Sequence, residues 1–266
     1  MKEKSTAIVK IVTGVTFLVM IAINALANIL PINGVGTGEV SDALPDLFAP
    51  AALTFSIWGV IYLLLALYTL YQGGVFNKGY DVKKNVMINK ISILFIISSV
   101  ANSIWIFAWH YMVIWLSLIL MGVIFACLAI ITIIIGKKEL TPREKIFVKL
   151  PFSVYFGWIT VATIANITAF LVDIGWGRFG LSEPFWAVVI IAVGAAIGFA
   201  ATFKNRDFFY GLVLVWAYAG ILIKHVSQAG FAKEYPGIII TIIISLAVLG
   251  VGEVLTFLPV KKKNKS

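Results

Sequence analysis

The chain has 266 residues, of which 61% are hydrophobic and 12% are charged, and its mean hydropathy is +1.02. This composition excludes a soluble globular domain and is typical of a polytopic membrane protein. The net charge of +9 does not indicate a nucleic-acid partner, because the basic residues fall in short connectors and at the two ends. The single cysteine, Cys127, excludes an intrachain disulfide and a thiolate metal site.

Hydrophobic runs long enough to cross a bilayer core of ~30 Å predict eight transmembrane helices. The runs cover residues 8–30, 53–71, 91–109, 112–135, 150–172, 186–203, 208–223 and 237–258. In this arrangement 18 of the 21 basic residues fall on one side of the membrane. The positive-inside rule therefore places the N- and C-termini in the cytoplasm. The predicted fold is all-α, a polytopic membrane helical bundle of eight transmembrane helices, and we expect a multi-pass protein of the cell membrane.

The first hydrophobic run has an alternative interpretation as a secretory signal. Lys2, Lys4 and Lys10 lie before or at its start, and the Ala-Leu-Ala segment at 25–27 offers a small-residue cleavage site. Against a signal, the run is longer than a signal core and carries Asn24 and Asn28 on one helical face. We therefore interpret it as the first spanning helix.

Residues 31–52 form the longest connector on the non-cytoplasmic side, and they contain three prolines and three acids. A connector of this length in a compact bundle is typical of a lid or of a disordered loop. Leu44, Leu47 and Phe48 provide apolar side chains that can pack against the helices. These side chains favour a lid.

Three of the predicted helices carry stripes of aromatic, small and polar residues at helical spacing. The stripes comprise Pro151, Tyr155, Trp158, Ala162, Asn166, Ala169 and Asp173 on the fifth helix, Phe55, Trp58, Tyr62, Ala66 and Thr69 on the second, and Ser98, Asn102, Trp105 and Trp109 on the third. Spacings of three and four residues place each set on one face. Unpaired polar groups are costly in hydrocarbon, so these faces should contact protein or a cavity. Helix–helix contact and a ligand-lined cavity both remain open interpretations.

Aromatic residues near helix ends have a separate interpretation. Trp109, Tyr111, Trp115 and Trp176 lie where interfacial anchors are typical. Trp105 and Trp158 lie deeper in their spans and are better candidates for an interior site.

The last three helices show other features. Gly194 and Gly198 form a small-xxx-small pattern, which predicts close helix packing. The sixth and seventh helices are joined only by residues 204–207 and should form a tight antiparallel hairpin. Glu253 is the one acid well within a span, which indicates either a functional group or a hydrated side chain near the cytoplasmic interface.

Signatures of common enzymes are absent from the sequence. It contains no HExxH, no glycine-rich phosphate loop, no GxSxG and no acids paired at catalytic spacing on one helix. His110 and His225 are the only histidines, and they fall near the non-cytoplasmic ends of the third and seventh helices. They are either interfacial residues or a joint pair of ligands for a haem iron or metal ion. We expect no catalytic residue and no metal site.

Three segments occur in an order that resembles the TspO/MBR family, the tryptophan-rich sensory proteins related to the mitochondrial translocator protein. The segment PFSVYFGWITVATIAN at 151–166 resembles the fifth helix of that family. NSIWIFAW at 102–109 is similar to its N-x-x-W motif on the third helix, and FAPAALTFSIWGVIY at 48–62 is similar to its proline-containing loop and the aromatic start of its second helix. The resemblance covers roughly residues 8–173 and leaves the last three helices unexplained.

The resemblance implies a TspO-like five-helix bundle over residues 1–173, with the lid at 31–52, and an additional three-helix unit with a basic tail over 174–266. It also implies a pocket for a flat hydrophobic ligand such as a porphyrin. The rings and amides of the stripes independently suit a planar ligand with polar edges. The candidate ligand-binding residues are Asn24, Phe55, Trp58, Tyr62, Asn102, Trp105, Pro151, Tyr155, Trp158 and Asn166.

We therefore expect an integral membrane receptor or sensor that binds a planar hydrophobic ligand, with a tetrapyrrole such as porphyrin or haem as the candidate. No resident cofactor is required. One alternative is a secondary transporter, or permease, that uses Glu253 or Asp173 as a proton site, although no inverted repeat is visible. The other is a membrane enzyme that degrades porphyrin through light-driven tryptophan chemistry. The expected partners are the ligand and the lipid bilayer, a homodimer remains open, and nucleic acid is not expected.

Overall fold

The computed structural model describes residues 2–30, 32–44, 46–75 and 82–258, and these ranges contain helices and connectors but no strand. The α-helices in them are α1 (Lys2–Ile29), α2 (Thr37–Ala43), α3 (Ile57–Gly73), α4 (Val82–His110), α5 (Ile114–Gly136), α6 (Pro142–Glu144), α7 (Leu150–Asp173), α8 (Glu183–Asn205), α9 (Phe208–Val226) and α10 (Pro236–Phe257). All except α2 belong to segments long and apolar enough to cross a membrane, with α6 and α7 in the same segment, so the prediction of eight spanning helices in an all-α fold is confirmed. The basic tail lies outside the described residues, and the orientation of the termini stays a prediction.

The helix that carries the longest stripe begins with an irregular turn. Thr141 caps α6, because its hydroxyl accepts from the Glu144 N–H and the Glu144 carboxylate accepts from the Thr141 N–H. A π turn at Lys145–Lys149 then leads directly into α7. Pro151 follows this turn and cannot donate a backbone hydrogen bond to the preceding residues, which explains the wider winding just before it.

Five helices form a closed ring in the order α1, α4, α5, α7 and α3, with α3 packing back against α1. Away from the lid, the interior of the ring is filled by aromatic side chains. Tyr68, Phe95 and Phe152 contact one another with ring centroids 4.7 to 5.7 Å apart, and the Tyr68 hydroxyl is 2.8 Å from Ser92 Oγ. These aromatic side chains therefore occupy the interior of the ring at this level.

The last three helices pack on the outside of this ring through α9, which lies against α7. Gly157 permits the contact, because a Cβ there would stand 2.8 Å from the Tyr210 carbonyl oxygen. Gly194 and Gly198 lie against Tyr218 and Leu214 of α9, so the packing predicted for the small-xxx-small pattern is confirmed. α8 and α9 are joined by two residues, and α10 packs against both of them. The division of the chain at residue 173 stays a prediction.

The connector between α1 and α3 folds back onto the ring as a lid. It contains the 3₁₀ turn Ile32–Gly34, the short helix α2 and a second 3₁₀ turn at Ala52–Ser56. Leu44, Leu47 and Phe48 are buried, as expected for a lid that packs against the bundle. The two residues of this segment outside the described ranges are 31 and 45.

Candidate ligand-binding site

The stripes of α3, α4 and α7 meet beneath the lid around one small cavity, whose volume is about 40 Å³. Its walls come from the lid and from these three helices. The lining residues are Thr37, Ser41, Pro50, Phe55, Trp58, Trp105, Trp109, Trp158, Val161, Ala162, Ala165 and Asn166. The cavity therefore includes five of the ten predicted ligand-binding residues, namely Phe55, Trp58, Trp105, Trp158 and Asn166.

Aromatic rings pack edge to face on one side of the cavity and in parallel on the other. Trp158 contacts Phe55 and Trp58 with centroid distances of 5.6 and 6.3 Å and an interplanar angle of 80° in each pair. Trp105 and Trp109 stack with their planes 17° apart and their centroids separated by 5.7 Å. These arrangements are favourable for aromatic pairs, and they present indole surface to any group that enters between them.

Asn166 is held by hydrogen bonds within the protein. Its Oδ1 accepts from Trp105 Nε1 at 3.3 Å and from Ser117 Oγ at 2.6 Å, while its Nδ2 donates to the Ala162 carbonyl at 3.0 Å. The carboxamide thus joins α7 to α4 and α5. This geometry gives Asn166 the role of a contact between helices in addition to its place in the cavity wall.

The indole N–H of Trp158 is the polar group that the protein leaves unused in this wall. Trp158 is buried, and its Nε1 has no hydrogen-bond partner among the described residues. Buried donors almost always have a partner, so an unpaired one beside a cavity indicates a place for an external acceptor. A ligand with a carbonyl or carboxylate edge could satisfy it.

The other five predicted residues lie behind the cavity wall or apart from it. Asn24 and Asn102 bind each other, with Asn24 Nδ2 donating to Asn102 Oδ1 at 2.7 Å. Tyr62 stacks on Trp58 at 5.5 Å, and Tyr155 contacts the same indole at 6.0 Å, so both support a lining residue from behind. Pro151 is buried in the first turn of α7 and is not among the lining residues.

Several lining residues were not among the predicted ligand-binding residues. Trp109 was predicted as a member of the α4 stripe, with an interfacial anchor as its other interpretation; the ring is buried, and its Nε1 donates to the Thr37 carbonyl at 3.1 Å. The signal was present, because Trp109 continues the α4 stripe four residues after Trp105. Tyr111 and Trp115 are more than half exposed, as expected for anchors. The contributions of Thr37 and Ser41 depend on how the lid folds, which no local pattern indicates.

His110 attaches the first half of the lid to α4. Its Nδ1 lies 3.1 Å from the Ile32 carbonyl oxygen and its Nε2 lies 3.0 Å from Thr37 Oγ1, and its own carbonyl accepts from Asn33 Nδ2 at 3.0 Å. The side chain is fully buried. Because both ring nitrogens are engaged, His110 has none left for a metal ion.

α9 attaches the second half of the lid. His225 is also fully buried, and its Nε2 lies 2.9 Å from the Leu47 carbonyl oxygen. Trp216 Nε1 donates to the Thr54 carbonyl at 3.0 Å, and the Ala51 N–H donates to the Gly220 carbonyl at 3.1 Å. The two histidines therefore each bind lid backbone. The part of the chain that the structure describes contains no group of three or more side chains suited to a metal ion.

A carboxyl group connects the lid to α7. Asp46 Oδ2 accepts from the Thr168 hydroxyl at 2.5 Å, and Oδ1 accepts from the Phe48 N–H at 2.8 Å. Burial raises the pKa of the Asp46 carboxyl, and the hydrogen bonds from Thr168 and Phe48 oppose that rise. The protonation of Asp46 is thus coupled to the position of the lid.

The cavity is too small for a large ligand while the lid is closed. A volume of about 40 Å³ compares with roughly 300–1,000 Å³ for typical ligand pockets. Thr37, Ser41 and Pro50 form part of its wall, so movement of the lid would enlarge it. A larger cavity of about 240 Å³ lies between the lid, α7 and α8, and it is lined by Trp176, Trp186 and other residues outside the three stripes.

Fold and site together define a multi-pass helical membrane protein with a lidded, tryptophan-lined cavity. The chain belongs to the family described as TSPO-like protein, whose model matches residues 10–255. This match confirms the resemblance to the TspO/MBR family and extends it over all eight spanning helices. No curated protein and no solved structure gives a significant match.

Proposed function

We propose that this protein is a receptor or sensor of the cell membrane that binds a planar hydrophobic ligand, a tetrapyrrole such as a porphyrin, in the cavity beneath the lid. The observation that carries the proposal is the convergence of four indoles and one phenyl ring on a lidded space, beside an unpaired indole N–H. Membership of the TSPO-like family supports the proposal that the protein acts in a membrane.

The lining suits a flat ligand for two physical reasons. Indole faces offer a large, rigid stacking surface, and ligand sites are mostly apolar with a few polar groups that fix orientation. Trp158 supplies such a polar group through its unpaired N–H. The acidic or carbonyl edge of a tetrapyrrole is a suitable acceptor for that donor.

Entry of the ligand requires the lid to move. Hydrogen bonds of Trp109 and His110 to Thr37, and of Thr168 to Asp46, hold the lid over the cavity in the closed state. Opening the lid exposes the indoles, and reclosing it over a bound ligand excludes water. A ligand-dependent change in the position of the lid is the signal that a sensor needs.

The test is a titration of the purified protein in lipid nanodiscs with protoporphyrin, monitored by the Soret absorbance band. We expect saturable binding that is weakened roughly fivefold by Trp158→Phe, because loss of one hydrogen bond costs about 1 kcal/mol. Trp115→Phe is the matched control, since Trp115 is 56% exposed on α5 and far more accessible than Trp158. Absence of saturable binding, or equal weakening by both substitutions, would contradict the proposal.

A further inference from the structure

A second group of unsatisfied polar atoms lies away from the lid, where α8, α9 and α10 meet. Glu253 of α10 is buried, and neither of its carboxylate oxygens has a hydrogen-bond partner among the described residues. Thr202 of α8 is also buried, and its Oγ1 likewise has no partner within those residues. Buried polar groups without partners are rare in native structures and require an explanation.

These atoms converge on the same point of α9. A Cβ placed on Gly211 would lie 1.8 Å from Glu253 Oε1 and 2.7 Å from Thr202 Oγ1, so the two oxygens flank one position on the helix backbone. Any larger residue at 211 would occupy the space that the carboxylate uses. The glycine therefore allows two oxygen ligands to approach each other between three helices.

Negative charge from a carboxylate and two helix ends lies near this point. The negative charge of Asp207 acts on Glu253, and the Asp207 carboxylate accepts from Ser153 Oγ at 2.5 Å and from the Tyr210 N–H at 3.3 Å. Thr202 and Glu253 lie close to the C-terminal ends of α8 and α10, where the helix dipoles are negative. A second carboxylate and two helix ends favour a positive charge, whereas Gly211 lies in the first turn of α9, where the helix dipole is positive.

The basic side chains described near this point do not supply that charge. Arg206 donates to the carbonyl oxygens of Thr256 and Leu258 and is exposed, and Lys204 is exposed in the last turn of α8. No ion pair joins either of them to Glu253 in the described part of the chain. A buried carboxylate without a partner is unfavourable, so the site requires a counter-charge from outside the protein.

We propose that Glu253, Thr202 and Asp207 form a binding site for one monovalent inorganic cation, either a proton or Na⁺. Two carboxylates and a hydroxyl are too few ligands for Ca²⁺, which takes six to eight oxygens. The site is independent of the tryptophan-lined cavity, and it gives the C-terminal helices an ion-binding role beyond the proposed receptor function.

The site has a route to solvent. Asp207 and its partner Ser153 line an open cavity of about 590 Å³ formed by the ends of α5, α7 and α8. Five lysines, at 137, 138, 145, 149 and 204, also line this cavity, and their positive charges disfavour Na⁺ along this path. A proton can pass by way of the Asp207 carboxylate.

The experiment is labelling of the full-length protein in nanodiscs with dicyclohexylcarbodiimide, which reacts with protonated carboxyls in apolar surroundings. We expect one adduct on the peptide that contains Glu253, with labelling that falls as the pH rises. Glu253→Gln should abolish it, and Asp173→Asn, which changes an exposed acid at the end of α7, should retain it. Asp207→Asn should shift the pH dependence of labelling to lower pH, because it removes a negative charge beside the cation.

Addition of Na⁺ distinguishes the two cations, with choline at equal ionic strength as the control. Slower labelling of Glu253 in Na⁺ than in choline supports occupation by Na⁺, and equal labelling in both salts supports a proton. The wild-type measurement needs no variant to fold. The thermal stability of the wild-type protein is measured in the same two salts. Absence of a Glu253 adduct from the wild-type protein at every pH, together with an equal melting temperature in Na⁺ and in choline, would overturn the proposal.

Discussion

Buried carboxamides connect the helices of the ring at two depths. Asn24 of α1 donates to Asn102 of α4 and also to the Met20 carbonyl at 2.8 Å, while Asn166 of α7 accepts from Trp105 and Ser117. Each amide forms hydrogen bonds with polar groups that would have no partner in lipid. The periodicity of the stripes showed that these amides face inward, but not which partner each would find, because pairing depends on how neighbouring helices are rotated.

At the residue scale we predict a measurable coupling between Asn24 and Asn102. Single and double alanine substitutions, analysed as a double-mutant cycle of unfolding free energy, should give about 0.6 kcal/mol and at most about 1.7 kcal/mol, the range for hydrogen bonds between membrane helices. Asn28 is the matched control, since it is exposed and donates only to the Asn24 carbonyl. A coupling energy between Asn24 and Asn102 no greater than that between Asn28 and Asn102 would contradict the prediction.

At the element scale the lid is held between α4 and α9. The attachment to α9 spans a large sequence separation, since Leu47 and His225 are 178 residues apart. Gly220 is required for it, because a Cβ there would stand 1.9 Å from Thr54 Oγ1. This arrangement gives the C-terminal helices a physical connection to the candidate site. No local pattern in the sequence could indicate it, and both histidines were therefore predicted only as interfacial residues or metal ligands.

The lid should loosen as the pH rises, because burial raises the pKa of Asp46 above its ordinary value of 3.8. The closed lid thus holds this proton more firmly than an open one would. Its contribution to closure is fully present below pH 3.8 and is lost as the pH rises through the raised pKa. Hydrogen exchange of the amides at 46–56, corrected for intrinsic rates, should show protection that declines with pH.

Asp46→Asn should remove this decline, because the amide cannot ionise. Glu39→Gln is the matched control: Glu39 is another lid acid, and its carboxylate caps α2 by accepting from the Gly36 N–H at 2.9 Å. An identical pH dependence in the wild-type protein and in Asp46→Asn would show that another group governs the lid.

At the scale of the whole molecule, hydropathy and charge were sufficient to predict eight spanning helices, because the length and polarity of a span are local properties. The stripes also predicted that Trp58, Trp105 and Trp158 would meet. The size of the space between them was not predictable, since it depends on side-chain packing and on the lid. The family match over residues 10–255 includes the C-terminal helices, which the local motifs left unexplained.

The central claim is that a planar ligand binds between the indoles beneath a movable lid. The most direct measurement is a structure of the protein in complex with protoporphyrin. We predict ring density in contact with Trp58, Trp105 and Trp158, an acceptor atom within hydrogen-bond distance of Trp158 Nε1, and separation of Thr37 from Trp109. Porphyrin bound elsewhere, with the lid closed and the Trp109–Thr37 hydrogen bond intact, would contradict the account.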